Sequence, residues 1–283
     1  MSQPRKPGCP ADANLMDVAP QTMHEGSRRH VYLARALIYR EIVTKYRGSY
    51  LGIAWSLLYP LLILASFTLV FGKIVHIPWP APEGRAAPAP LLMYCGLIVF
   101  NFFAETLGTA PRYLVGYQSY IKKTVFPAEV LPVVLVFTAG FHTLTNLLLL
   151  LLGVALLGHL SVSLALLPLI LLPMLLVALG ATWFLAALGA YVRDLAHATP
   201  VALQLLMFLS PVFYPSSAVP ESVRWLYVLN PVATLVEALR DVAVWGHAPQ
   251  WMSLAMVTGV GLAMSLCGYA FFMHSKAELA DVL

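Results

Sequence analysis

From Val130 to Val192 the chain runs for 63 residues without an Asp, Glu, Lys or Arg. A helix rises 1.5 Å per residue, so about 20 apolar residues cross the ~30 Å hydrocarbon core of a bilayer. The run therefore holds two crossings, and "GHLS" at 158–161 is the natural turn between them. Water is absent at that depth, so the main chain must satisfy its own hydrogen bonds, which a helix does within one segment. Composition agrees: 60% of the 283 residues are hydrophobic and 11% are charged, against roughly 25% charged in soluble domains.

Four further uncharged stretches run from Gly48 to Gly72, Ala86 to Ala104, Leu195 to Pro220 and Val242 to Ser275. Together the five predict an all-α integral membrane protein with six transmembrane helices. The expected spans are residues 48–72, 88–110, 130–157, 164–191, 196–214 and 250–274, in a membrane domain covering 30–283. An even number of spans puts both termini on one side. Thirteen of the 17 Lys and Arg fall on that side and four on the other, so the positive-inside rule makes it the cytoplasm. Residues 1–29 have no apolar core, so they read as a disordered cytoplasmic tail rather than a signal peptide.

Several function classes are disfavoured. The net charge of +4 is spread over the tail and one loop, as topology requires, and does not form a nucleic-acid surface. Cys9, Cys95 and Cys267 are too far apart in sequence to suggest a metal site or a disulfide framework. The P-loop pattern is absent, and so is any cluster of His, Asp and Glu that could do catalysis. Ion-coupled carriers place charged relays inside the membrane. Here the third span offers only His142 and Asn146, at i,i+4 spacing, and Glu105 sits at the expected end of the second. His142 reads as a helix–helix hydrogen-bond partner. Any uphill transport draws its energy from another subunit.

On the cytoplasmic side, "HVYLARALIYREIVTKYRGS" (30–49) repeats Tyr32, Tyr39 and Tyr46 at seven-residue spacing, with Ala36 and Val43 on the same face. A basic, aromatic helix beside a membrane reads as an interfacial helix. In "PRYLVGYQSYIKKTVFPAEVLP" (111–132), apolar Tyr120, Ile121, Val125 and Phe126 surround Lys122 and Lys123. Exposed apolar groups there suggest a dock for a soluble partner. A loop that merely sets topology is the other reading. Arg193 and Asp194 mark the matching loop between spans four and five.

Aromatic residues supply the remaining candidates. Trp55 and Tyr59 share a face of the first span with Leu62 and Ser66, while Phe67 and Phe71 point elsewhere. Phe100 lies near the inner end of the second. Aromatic faces grip sugar rings, although core packing or lipid contact would use the same residues. "FLSPVFYPSSAVPESVRWLYVLNPVATLVEALRD" (208–241) breaks an apolar run with four prolines and is too short to cross twice. It reads as a segment that dips in and returns, or as an aromatic-belt loop.

These stretches also resemble a family. "KYRGSYLGIAWSLLYPLLILASFTLVFG", "YIKKTVFPAEVLP", "RDLAHATPVALQLLMFLSPVFYP" and "LNPVATLVEALRD" are similar to the type-2 ABC exporter permeases, in the branch that exports polysaccharides. The resemblance covers residues 30–275, with the motifs in order. It implies a homodimer in the bacterial inner membrane, driven by two copies of an ABC ATPase that hold ATP and Mg; this chain has no cofactor and is not an enzyme. The cargo it implies is a lipid-linked glycan: O-antigen, capsule or teichoic acid. A drug, haem or lipid exporter of the same superfamily is the alternative, with a membrane glycosyltransferase or ion-coupled carrier behind it. Tyr120, Ile121, Lys122, Lys123, Phe126 and Pro127 would form a cytoplasmic coupling helix on the ATPase, with Arg193 and Asp194 as the second contact. Tyr39, Arg40, Tyr46 and Arg47 would line the cytoplasmic entrance. Trp55, Tyr59, Phe67, Phe71, Phe100, Phe208, Phe213, Tyr214 and Trp225 would lie along the substrate path. Outer gate helices would lie between spans five and six.

Overall fold

A computed structural model describes residues 23–74, 79, 87–123, 126–158 and 160–282. Its elements are α1 (Met23–Tyr46), α2 (Trp55–Leu69), α3 (Ala89–Gly116), α4 (Gln118–Lys123), α5 (Val130–Leu156), α6 (Leu167–Tyr191), α7 (Leu195–Leu209), α8 (Arg224–Leu229), α9 (Pro231–Arg240) and α10 (Trp251–Val282). No strand occurs among the described residues.

Among the described residues, five helices are long and apolar enough to cross a membrane: Gly52–Ile74, Ala89–Gly116, Val130–Leu156, Val162–Tyr191 and Trp251–Lys276. The fifth expected span, 196–214, is shorter than predicted. α7 has 15 residues, about 22 Å of helix, and the chain leaves helical geometry at Ser210 instead of continuing to residue 214. Proline at 211 and 215 explains the stop, since proline lacks the N–H that would continue the ladder.

Two other expected boundaries move. α1 begins at Met23, so residues 23–29 are helical rather than tail; residues 1–22 lie outside the described residues. α3 runs through Pro111 to Gly116, so the first six residues of the expected loop belong to the helix. Phe100 is consequently mid-helix and buried, not near an end.

α3 is the axis of the bundle, touching α5, α6, α7 and α9. Of its most apolar window, 72% is buried, against 11% for Gly52–Ile74. The span containing α2 thus leaves most of its residues exposed to whatever surrounds the chain. α6 and α10 pack closest. A Cβ on Gly180 would lie 2.3 Å from the Met264 carbonyl carbon, and one on Gly268 would lie 2.1 Å from the Gly180 oxygen. Only glycine permits this approach, as at small-residue contacts between membrane helices. Ser265 Oγ donates to the Leu176 carbonyl at 2.7 Å across the same seam.

α1 and α4 lie at one end of the bundle, the basic end. α8 and α9 lie at the other, the far end. The basic end is tied by Trp183 Nε1, which donates to the Glu129 carbonyl at 3.1 Å, and by Lys276 Nζ, 2.8 Å from the Glu129 carboxylate. This joins α6 and α10 to the start of α5.

Candidate functional site

α1 has two apolar faces. Leu33, Ala34, Leu37 and Ile38 pack onto the buried ends of α3 and α5. Tyr32, Tyr39 and Val43 are exposed. The expected face is therefore outward at these positions, and Leu33, Ala34, Leu37 and Ile38 form a second face that holds the helix to the protein.

Glu41 lies on the packed face, at i+4 from Leu37. Its Oε1 accepts a hydrogen bond from Tyr117 at 2.6 Å and another from Tyr113, while Thr138 Oγ1 donates to Oε2 at 3.4 Å. Arg40 donates to the Tyr117 and Tyr120 hydroxyls at 3.1 and 3.5 Å. Its guanidinium also lies 5.6 and 5.7 Å from their ring centroids, within cation–π range. The rings step in sequence from α3 into α4: Tyr113 to Tyr117 at 5.3 Å, Tyr117 to Tyr120 at 5.9 Å, and Tyr120 to Phe126 at 6.2 Å. Burial, then the hydrogen bond to Glu41, raises the Tyr117 hydroxyl above its ordinary pKa, so it stays a donor at neutral pH.

One turn further along α1, Lys45 Nζ sits 2.8 Å from Glu105 Oε1, and His142 Nδ1 sits 2.9 Å from the same oxygen. Glu105 is thus inside α3 rather than at a span end, and its charge is matched locally. His142 is the helix–helix partner expected of it. Tyr46 stacks edge-on to His142, while Tyr39 and Arg47 face outward.

In the expected coupling stretch, Tyr120 and Lys122 are exposed. Ile121 and Phe126 are half-buried against the α1–α3–α5 core, which corrects their reading as exposed docking groups. Pro127 follows them into the turn before α5, and Lys123 is the last residue of α4. Arg193 and Asp194 are exposed in the turn between α6 and α7. Arg112 donates to the Ala196 carbonyl at 3.0 Å, tying that turn to α3.

At the far end, Asn230 caps α9: its side chain accepts from Val232 N at 3.0 Å, with Pro231 at the first helical position. The Asn230 amide also donates to Ser210 Oγ at 2.9 Å, joining α9 to the unwound end of α7. Arg240 closes the helix and is only 1% exposed. Its Nε donates to the Leu92 carbonyl at 2.9 Å, and its Nη2 to the Pro211 and Val212 carbonyls at 2.5 and 3.1 Å. Nη1 meets Glu237 at 2.8 Å, and Trp79 covers the guanidinium at 4.6 Å. One side chain thus gathers α3, the end of α7, α9 and the loop after the first span. A Cβ on Gly96 would lie 2.8 Å from Val212 Cα, so α3 is also pressed directly against the unwound segment. Arg240, Trp79 and Glu41 are functional candidates absent from the sequence expectations. Position 240 repeats the buried positions 232 and 236 at i+4, and that was the available signal.

The expected path residues divide. Phe67 stacks on Phe71 at 5.5 Å and on Phe213 at 5.9 Å, and Phe67, Phe100 and Phe213 share one cluster joining the first span, α3 and the α7 end. Phe208 and Tyr214 line a cleft of ≈ 380 Å³ with Val223, Leu226 and Tyr227. Trp55, Tyr59 and Trp225 are exposed elsewhere on the surface. The structure therefore brings together two groups, with Phe100 already committed to packing.

A helical chain with five helices of membrane-crossing length and apolarity among its described residues is built as a multi-pass membrane protein. Residues 32–244 match the ABC-2 type transporter family, and the chain belongs to it. It is 29% identical over 249 residues to the O-antigen export system permease protein RfbA of Myxococcus xanthus, covering 87% of this chain and 93% of that protein. It is 24% identical over 248 residues to the protein of the same name from Klebsiella pneumoniae (86% and 92% covered). It is 28% identical over 246 residues to the polysialic acid transport protein KpsM of Escherichia coli (83% and 91% covered).

Proposed function

We propose that this chain is the permease subunit of an ABC exporter that moves lipid-linked polysaccharide out of the cytoplasm across a bacterial inner membrane. The observation that carries the reading is similarity over more than four-fifths of the chain to an export permease and a transport protein named for two different polysaccharides. Hydrolysis of ATP with Mg belongs to a separate ATPase; this subunit supplies the path.

In this reading the chain works as a homodimer with two ATPase copies, and both termini are cytoplasmic. α7 is the fifth of six spans, completed by the unwound residues 210–215. α4 docks on the ATPase, with Tyr120 and Lys122 outward, and the Arg193–Asp194 turn is the second contact. Tyr39, Arg40, Tyr46 and Arg47 flank the entrance. The exposed aromatic face of the first span, with Trp55 and Tyr59, faces the second copy and the cargo between them. α8 and α9 form the outer gate, held shut by Arg240.

Deleting the chain tests this: lipid-linked glycan should accumulate in the cytoplasmic leaflet. Glycan that still reaches the surface would transfer the chain to drug, haem or other lipid export. ATP hydrolysis by the purified chain alone would refute the division of labour.

A further inference from the structure

We propose that Glu41 is the latch that makes the entrance helix part of the moving unit driven by ATP. This rests on the reading of α4 as the ATPase dock. α4 is only six residues long and begins one residue after α3 ends. A push on it is passed first to whatever holds its side chains. Its exposed Tyr120 ring stacks on Tyr117, which stacks on Tyr113, so three rings form a continuous column from α4 into α3. The α1 residues bonded to that column are Arg40 and Glu41. Arg40 spans the Tyr117 and Tyr120 hydroxyls, and one oxygen of Glu41 takes both the Tyr113 and Tyr117 hydroxyls.

A carboxylate accepting two phenolic hydrogen bonds is a directional, charge-assisted joint. Apolar contact between α1 and the core can slide, but this joint resists sliding because its acceptor oxygen has fixed geometry. The next contacts along α1 extend the grip: Lys45 on Glu105 fastens the same helix to the middle of α3, where His142 of α5 meets it. α1 is thus fixed to α3 at two points about one turn of α1 apart, and to the dock at a third. When α4 shifts, α1 shifts with it, and the entrance residues Tyr39 and Arg40 change position in step with ATP turnover. Glu41 is a positioning residue, acting on the entrance through α1 without touching cargo.

The test uses the full exporter reconstituted in vesicles with its ATPase and lipid-linked glycan, comparing glycan moved per ATP hydrolysed. Glu41→Ala should assemble and hydrolyse ATP at close to the wild-type rate, while transport per ATP falls about tenfold, inside the span usual for coupling between sites. Glu41→Gln keeps one acceptor oxygen and should recover part of that loss. Paired Tyr113→Phe and Tyr117→Phe should reproduce it. Spin labels at the exposed positions Ala36 and Lys122 supply a second reading: their separation should stay constant between ATP-free and ATP-bound wild-type exporter, and change in Glu41→Ala. Equal losses of ATPase rate, transport and melting temperature would make Glu41 merely structural and overturn the latch. If Lys122→Glu releases the ATPase while Glu41→Ala transports normally per ATP, the latch alone is wrong. If Lys122→Glu leaves the ATPase bound and coupled, the docking reading fails and takes the latch with it.

Discussion

Replacing Arg240 with leucine removes a guanidinium that is 1% exposed and binds three main-chain carbonyls. Each buried acceptor left without a donor costs about 1–3 kcal/mol. Loss of the contact with Trp79 adds roughly 1–2 kcal/mol. Glu237 is less affected, because it keeps the Tyr227 hydroxyl at 3.2 Å and is partly solvated. Leucine recovers part of the sum through its own burial and the avoided desolvation of a charge, so the net lies near the ~3–5 kcal/mol typical of breaking a buried charged contact. Local opening of the far end should then rise about a hundredfold or more, since 1.4 kcal/mol is a factor of ten. Cys95 reports this directly: it is fully buried, one turn along α3 from Leu92. With Cys9 and Cys267 changed to serine, Cys95 should react with a maleimide far faster in Arg240→Leu than in the parent, and thermal inactivation should move to lower temperature. Arg240→Lys keeps the charge but not the fork of donors, and should fall between the two. Unchanged Cys95 labelling together with an unchanged inactivation temperature in Arg240→Leu would show that the clamp does not hold the far end closed.

Three further outcomes follow from the geometry. Gly180→Ala forces α6 and α10 apart and should destabilise by about 2 kcal/mol or more, whereas Gly140→Ala, with nothing within 4 Å of the new Cβ, should be neutral or stabilise by up to ~1 kcal/mol; similar melting temperatures for both would refute the close-packed seam. Burial, then the Glu237 carboxylate, raises the Asp241 carboxyl to about 6, against opposing effects of His247 and Arg240. The folded chain therefore holds that proton more tightly than the unfolded one. This stabilising contribution is complete below pH ~4 and lost as the pH rises through 6, so Asp241→Asn should flatten the fall in melting temperature between pH 5 and 7, and an identical slope in both proteins would exclude it. Lys45→Met should change stability by less than ~1 kcal/mol, because Lys45 is half exposed and such pairs are screened; a larger drop in thermal midpoint would mean that the Lys45–Glu105 pair is shielded from water by a neighbouring subunit or lipid.

The spans were legible because a bilayer demands long uncharged helices, and Val130–Val192 has no other soluble solution. Their ends were less so. α3 continues past Glu105 to Gly116 with that carboxylate held by Lys45 and hydrogen-bonded to His142, both distant in sequence. α7 stops early because prolines end the ladder regardless of how apolar the side chains remain. On α1, the regular Tyr32–Tyr39–Tyr46 spacing marked an outward face at Tyr32 and Tyr39, although Tyr46 turns in onto His142, and it drew attention from Leu33, Leu37 and Glu41, which do the packing. Arg240 counted as one of four basic residues on the outer side. Its i+4 relation to Val232 and Val236 placed it on the buried face, but its partners are carbonyls, and a carbonyl has no letter in the sequence.

Arg240 holds Leu92, Pro211 and Val212 by their main chains, so the fastening makes no demand on the side chains at the first and third of those positions. Neighbouring aromatic residues can change without loosening the contact between α3, α9 and the unwound end of α7. Among relatives of this chain, the aromatic residues around the fastening should vary while the arginine stays fixed.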